Sequence, residues 1–219
     1  MKDKFRKMEI LITQNEDKWQ EARQSRFTAS EIHKLMGNPR NKSENLSETA
    51  KSFVYEKAAE ILTGQRKQLF GDALTWGTEH EKEAFKAFEL THFDNVTYYG
   101  GDSFVFIPYG EYSGYSPDGL SDQYIIEIKC PYNSAIHLKN FTINCADDLK
   151  QLHPEYYWQV QLGMIASKLN ECRFISYDPR FPQKHRIHVA EIELQDVKDE
   201  IDEKLYYASQ LLTNVIELQ

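Results

Sequence analysis

Cysteine is scarce in this 219-residue chain. Cys130, Cys145 and Cys172 are odd in number and show no C-x-x-C spacing, which argues against a disulfide framework, a zinc site or an iron–sulfur cluster. Long apolar runs are missing too, and no stretch could span a bilayer. The first residues, Met1-Lys2-Asp3-Lys4-Phe5-Arg6, lack the apolar core of a secretion signal, so the expectation is a soluble, cytoplasmic protein with no membrane partner. Nor is there an excess of basic charge: 26 Lys and Arg against 34 Asp and Glu leave a net charge of -8. That balance pulls against a nucleic-acid partner, because nonspecific affinity for DNA comes mainly from neutralised phosphates. It still allows a protein that holds DNA by enclosure, with part of the acidity spent on metal ligands.

With 41% hydrophobic and 13% aromatic residues and no internal repeat, the chain can bury a full core, most economically as one domain over residues 1–219. Thr28-x-x-Glu31 has the pattern of a capping box opening a short helix that Gly37 can close, followed by a polar loop at Asn38-Pro39-Arg40. Further helices are expected over 47–62, stopped by Gly64, from between Leu69 and Asp72 to about Leu90, and over 156–168 and 197–212. Strands are expected over 96–99, 103–107, 124–130, 173–177 and 186–192, with a polar loop over 140–153. That order implies an α/β fold, a mixed sheet with helices on its faces.

The most informative stretch is Ser116-Pro117-Asp118-Gly119-Leu120, followed after a short gap by Ile126-Glu127-Ile128-Lys129-Cys130. In a strand alternate side chains share a face, so Glu127 and Lys129 point together while Ile126 and Ile128 point into a core. Asp118, just past a turn, can reach the same spot. Two hard oxygen ligands suit Mg²⁺ or Mn²⁺, and a lysine beside them can polarise a water or a phosphate oxygen, which together suit phosphodiester hydrolysis. For E-x-K alone, a solvated surface ion pair is the commoner reading.

Other stretches converge on the same chemistry. At 100° per residue Glu81 falls at the centre of an apolar stripe with Leu74, Gly77, Ala84, Phe85 and Phe88, where a carboxylate needs either a metal or an ion-pair partner. Gln159 shares a helical face with Leu162, Gly163 and Ala166, so its amide must bond something buried, a backbone carbonyl being the ordinary choice. Arg23, Arg26 and Ser30 surround the start of the capped helix; they suit an anion site or a plain cap with solvated arginines.

Taken together, the chain resembles the lambda exonuclease family (YqaJ-like viral recombination nucleases) of the PD-(D/E)xK superfamily. The matching runs are Trp19 with Arg23, Thr28-Ala29-Ser30-Glu31, Pro39-Arg40, Leu74 with Trp76-Gly77 and Glu81, Ser116 to Leu120, Glu127 to Pro131, Gln159-Val160-Gln161 and Tyr177-Asp178-Pro179-Arg180. The resemblance implies a restriction-endonuclease-like mixed central sheet flanked by helices. It also implies a Mg²⁺-dependent 5′-to-3′ exonuclease that degrades one strand of linear duplex DNA and leaves 3′ overhangs for recombination. Asp118, Glu127 and the Ile128 carbonyl would then hold one Mg²⁺ and Asp118 with Glu81 a second, with Mn²⁺ able to substitute, and Lys129 would orient the attacking water. Arg23, Ser30, Ser116 and Gln159 would receive the terminal 5′-phosphate, and Arg40 and Leu74 would help part the duplex end. The same resemblance implies a homotrimeric ring, a single-strand annealing protein as partner, and a phage, prophage or viral origin. One departure stands out: Ser25 occupies a position that is glycine in the lambda-type sequence, which would let Arg26 share the phosphate role. The rivals are a structure-selective endonuclease on the same core and a catalytically silent DNA-binding module; the intact set of Glu81, Asp118, Glu127 and Lys129 argues against the latter.

Overall fold

A computed structural model describes residues 10–65, 71–92 and 95–217. In chain order its elements are β1 (Leu11–Thr13), α1 (Glu16–Arg23), β2 (Phe27–Thr28), a 3-10 helix (Ala29–Lys34), α2 (Glu48–Thr63), α3 (Asp72–Glu89), β3 (Thr97–Tyr98), β4 (Phe104–Tyr109), β5 (Ser113–Tyr115), β6 (Gly119–Leu120), β7 (Tyr124–Lys129), α4 (Ser134–Asn140), α5 (Ala146–Leu152), α6 (Pro154–Ser167), β8 (Glu171–Tyr177), a 3-10 turn (Gln183–His185), β9 (Ile187–Glu193) and α7 (Lys198–Glu217). The expected mixed sheet is present as β3-β6-β7-β8-β9, and beside it stands a second, β1-β4-β5-β2.

The central strand β7 explains the layering. Four of its six residues are β-branched or aromatic, and it is buried on both faces, as a strand with a parallel neighbour normally is. Tyr124, Ile126 and Ile128 pack with Ala84, Phe85 and Phe88 of α3 on one face. Ile125 joins the larger cluster on the other, with Val160 and Leu162 of α6. A parallel β7–β8 pair needs a crossover, and α4 to α6 supply it. Glu127 therefore lies under α6, at 2% exposure.

Helix α2 begins at Ser47, whose side chain accepts from the Ala50 amide, and ends at Gly64 in the left-handed region with φ 65°, as expected from those residues. The expected start of α3 near Leu69 lies outside the described residues. Two expectations fail. Residues 140–153 are not a loop: Asn140 closes α4, and α5 follows with Ala146 and Leu149 buried three residues apart. The polar residues between them are the solvated face of a short helix, and two apolar positions are too few to show a period. The capping box also does not form. Thr28 precedes a 3-10 helix and makes no side-chain cap bond, while Glu31 turns to Lys34 at 2.8 Å and to the buried Lys57 at 3.0 Å. A buried ammonium needs a carboxylate more than a helix amide does. Gly37 stands beyond the end of that helix and does not close it. Ser25, the departure noted above, adopts φ 62°, a conformation that favours glycine. Among the described residues no helix is long and apolar enough to cross a membrane.

Candidate active site

Asp118 is pinned across the β6–β7 hairpin. Its amide donates to the Ile126 carbonyl at 3.1 Å, and its Oδ2 accepts from the Ile128 amide at 2.6 Å. Glu127 and Lys129 share a face of β7 as the strand period requires, with Lys129 Nζ 2.7 Å from Glu127 Oε1. The same Oε1 accepts from Gln159 Nε2 at 2.5 Å, and Lys129 Nζ also donates to Gln159 Oε1 at 3.3 Å. The buried amide of Gln159 thus bonds the carboxylate–ammonium pair, not a backbone carbonyl. The other carboxylate oxygen, Glu127 Oε2, accepts from the Tyr115 hydroxyl at 3.1 Å. Tyr115 can lie there because the facing residue on α6 is Gly163, where a Cβ would come within 2.8 Å of the tyrosine ring. Glu81 enters from α3, with Oε1 accepting from Tyr98 at 3.0 Å. Its partner is a hydroxyl from β3, where the sequence allowed a metal or a Lys/Arg ion pair.

Glu81, Asp118, Glu127 and Lys129 all line one cleft of about 500 Å³. Arg23, Ser30, Leu74, Ser116 and Gln159 line it too, so the structure brings together nearly all the residues singled out in the sequence. Trp19 organises one end: its indole N–H donates to Ser116 Oγ and to the Val105 carbonyl, both at 3.0 Å, and the Arg23 guanidinium lies 4.4 Å over its ring. Ile128 borders an adjoining hollow instead. Two candidates lie elsewhere. Arg40 is exposed and not part of the cleft wall. Arg26 packs its guanidinium 5.2 Å over Phe106 and is likewise absent from that wall, so it does not share the Arg23 end of the cleft; burial lowers its pKa, opposed by Glu111. Trp19 carried no signal of its own beyond the resemblance. Tyr98 and Tyr115 carried none, because a tyrosine in a strand is ordinarily core.

The electrostatics are those of acids crowded around one ammonium. Burial, then Glu127 and Glu81, push Asp118 well above the usual carboxylate range, opposed by Lys129 and the Ile128 amide. Burial and Glu127 likewise raise Glu81, against the Tyr98 hydrogen bond and Lys129. Burial acts against the charge on Lys129, yet Glu127 and Asp118 more than offset it and hold its pKa above the ordinary value. Lys129 is therefore a donor. The neighbouring Cys130 thiol is pushed up to about 12 by burial and by Glu81 and Asp118, so it stays protonated and is not a nucleophile.

A hard divalent cation fits this donor chemistry: the groups are oxygens, and their mutual repulsion is what such a cation relieves. Among the described residues no set of three or more His, Cys, Asp or Glu side chains is gathered to hold a metal unaided, and both oxygens of Glu127 are already held by protein donors. A cation here would need backbone or water oxygens as well.

The model of the YqaJ-like viral recombinase domain family matches residues 18–170. Among solved structures, an alkaline exonuclease from Laribacter hongkongensis, LHK-Exo, is similar with a TM-score of 0.74 at 28% identity, covering 92% of this chain and 95% of that one. The same enzyme in complex with dAMP gives 0.75 at 28% identity, with the same coverage. A phage-related exonuclease from Haemophilus somnus 129PT gives 0.72 at 20% identity over 88% of this chain and 95% of its own, a likeness of fold alone. No curated protein matches the sequence significantly.

Proposed function

The chain belongs to the YqaJ-like viral recombinase domain family, and from that membership we propose a Mg²⁺-dependent exonuclease that removes nucleotides from the 5′ end of linear duplex DNA. The observation that carries this reading is one cleft with an acid–ammonium centre, Glu81, Asp118, Glu127 and Lys129, and an anion-suited end formed by Arg23, Ser30, Ser116 and Gln159. The fold likeness to LHK-Exo, crystallised with dAMP, supports it. The remaining 3′ overhang would serve strand annealing, with an annealing protein and a homotrimeric ring as the proposed partners and phage-related origin as the setting.

In this reading Arg23, Ser30 and Ser116 bind the terminal 5′-phosphate by charge-assisted hydrogen bonds. Gln159 adds the amide hydrogen that Glu127 does not use. Trp19 orients Ser116 and stacks on Arg23, so the phosphate end is preorganised. Asp118, Glu127 and the Ile128 carbonyl would hold one Mg²⁺, and Asp118 with Glu81 a second; Mn²⁺ could replace either. Cations bound there supply Lewis-acid polarisation of the scissile phosphate and the attacking water. Lys129, kept as an ammonium by Glu127 and Asp118, donates to that water or to a phosphate oxygen and orients it. Water adds to phosphorus, the bond to the 3′ oxygen breaks, and that oxygen takes up a proton. A 5′-mononucleotide leaves, and the new strand end again carries a 5′-phosphate for the same site.

The test compares linear duplexes with a 5′-phosphate and a 5′-hydroxyl, beside a closed circle. Each charge-assisted bond contributes roughly 1.5 to 3 kcal/mol, so the hydroxyl end should be digested about tenfold more slowly or worse. Equal rates, or cutting of the circle, would favour an endonuclease.

A further inference from the structure

Gly77 lies inside α3, where glycine disfavours the helix more than any residue except proline. The ordinary compensation is a neighbour packed against the missing side chain, as Tyr115 packs on Gly163. Gly77 has none: a Cβ placed there meets no described atom within 4 Å. The space belongs to a hollow of about 310 Å³ that shares Leu74, Thr78, Glu81 and Lys129 with the catalytic cleft. Glu81 and Lys129 of the acid–ammonium centre therefore border two lobes, the one with Arg23 and the one over Gly77.

The second lobe differs in chemistry from the first. Its wall is mainly apolar, from Leu74, Ile128, Pro131 and the Tyr156 ring, and Lys129, at its inner end, is its one basic residue among those described. That wall suits a sugar and base better than another phosphate. Asn140, fully buried, backs that wall and is itself held by protein partners. Asn140 Nδ2 donates to Ser176 Oγ at 2.9 Å, and His153 Nε2 lies 2.9 Å from Asn140 Oδ1. The Pro131 edge is braced as well, because Arg180 Nη2 donates to the Pro131 and Tyr132 carbonyls at 3.2 and 2.9 Å while pairing with Asp178 at 2.7 Å.

We infer that this second lobe receives the nucleoside on the 3′ side of the scissile phosphate, with its deoxyribose against Gly77. The assignment rests on the proposed exonuclease reading, in which the terminal nucleotide fills the Arg23 lobe and the scissile phosphate the centre. Gly77 is then room kept for the strand that stays bound.

The test is binding in EDTA, where nothing is hydrolysed, using dAMP, which fills the first lobe only, and the dinucleotide pdApdA, which spans both. Calorimetry on Gly77→Leu should show pdApdA affinity reduced about tenfold or more with dAMP affinity changed by less than about twofold. Gly77→Ala should fall between and should melt no lower than wild type, because the added carbon meets no described atom within 4 Å outside its own helix backbone and chain neighbours. Unchanged pdApdA affinity in Gly77→Leu, with wild type binding both ligands, would overturn the subsite and leave the exonuclease reading standing. Failure of the wild type to bind dAMP in EDTA would overturn the two-lobe assignment, while the exonuclease reading, which needs Mg²⁺, is judged by hydrolysis of the linear duplex.

Discussion

Replacing Tyr115 by Phe removes one oxygen from the interior and leaves the packing otherwise intact. Tyr115 is 1% exposed and its hydroxyl is the protein donor to Glu127 Oε2, at 3.1 Å. Lys129 and Gln159 both serve the other oxygen, so they cannot substitute without breaking their own bonds. An acceptor left unsatisfied in the interior costs roughly 1 to 3 kcal/mol, more if charged, and the ring still fills its space against Gly163. The expected loss is therefore about 2 kcal/mol, which for a chain of this size corresponds to about 4 to 8 °C in melting temperature. Urea unfolding in EDTA at fixed protein concentration should show a lower midpoint with an unchanged slope. In a Glu127→Gln background the same substitution should cost less, because the hydroxyl no longer meets a charge. A loss below about 0.5 kcal/mol in the otherwise wild-type protein, the scale of an ordinary surface change, would show that Tyr115 does not hold the carboxylate.

Gly163→Ala should destabilise, because its Cβ would sit 2.8 and 2.9 Å from Tyr115 ring carbons and 3.0 Å from Ile125; overpacking of about 1 to 3 kcal/mol exceeds the helix gain of about 1 kcal/mol. A more stable Gly163→Ala protein by urea unfolding would contradict this contact. Asp118 and Glu81 both have raised pKa values, so the native state keeps protons that the unfolded chain releases above the ordinary carboxylate range, and their contribution to metal-free stability falls as pH rises. Glu31 and Asp178 have lowered values and act in the opposite sense, so the informative comparison is wild type against Asp118→Asn. Melting in EDTA between about pH 4.5 and 8 should show the variant gaining on wild type as pH rises, and parallel curves would refute the crowding. Glu81→Gln should likewise raise metal-free stability near neutral pH while weakening Mg²⁺ or Mn²⁺ binding; unchanged affinity by calorimetry would leave Glu81 a structural residue held by Tyr98.

What the sequence made legible was periodic. Alternation in β7 placed Glu127 and Lys129 together, helical spacing put Glu81 and Gln159 on apolar faces, and Ser47 and Gly64 bounded α2. What it hid depended on partners distant in the chain. Lys57 draws Glu31 away from the capping position expected of it. Tyr115 and Tyr98 hold carboxylates through contacts that no local pattern encodes. Strands β5 and β6 are too short and too rich in Ser and Gly to show alternation, and α1 buries no residue and so has no stripe. Arg26 was grouped with the candidate anion site by proximity in sequence, whereas it packs over Phe106 elsewhere.

The most direct test of the central claim is hydrolysis of a 5′-phosphorylated linear duplex at saturating Mg²⁺ by purified Asp118→Ala and Lys129→Ala, with folding verified by circular dichroism. Removing either the carboxylate or the ammonium takes away charge stabilisation and placement of the attacking water together. The account predicts that both folded variants lose cleavage while wild type digests the duplex only when the metal is present. Near-wild-type hydrolysis by folded Lys129→Ala would contradict it.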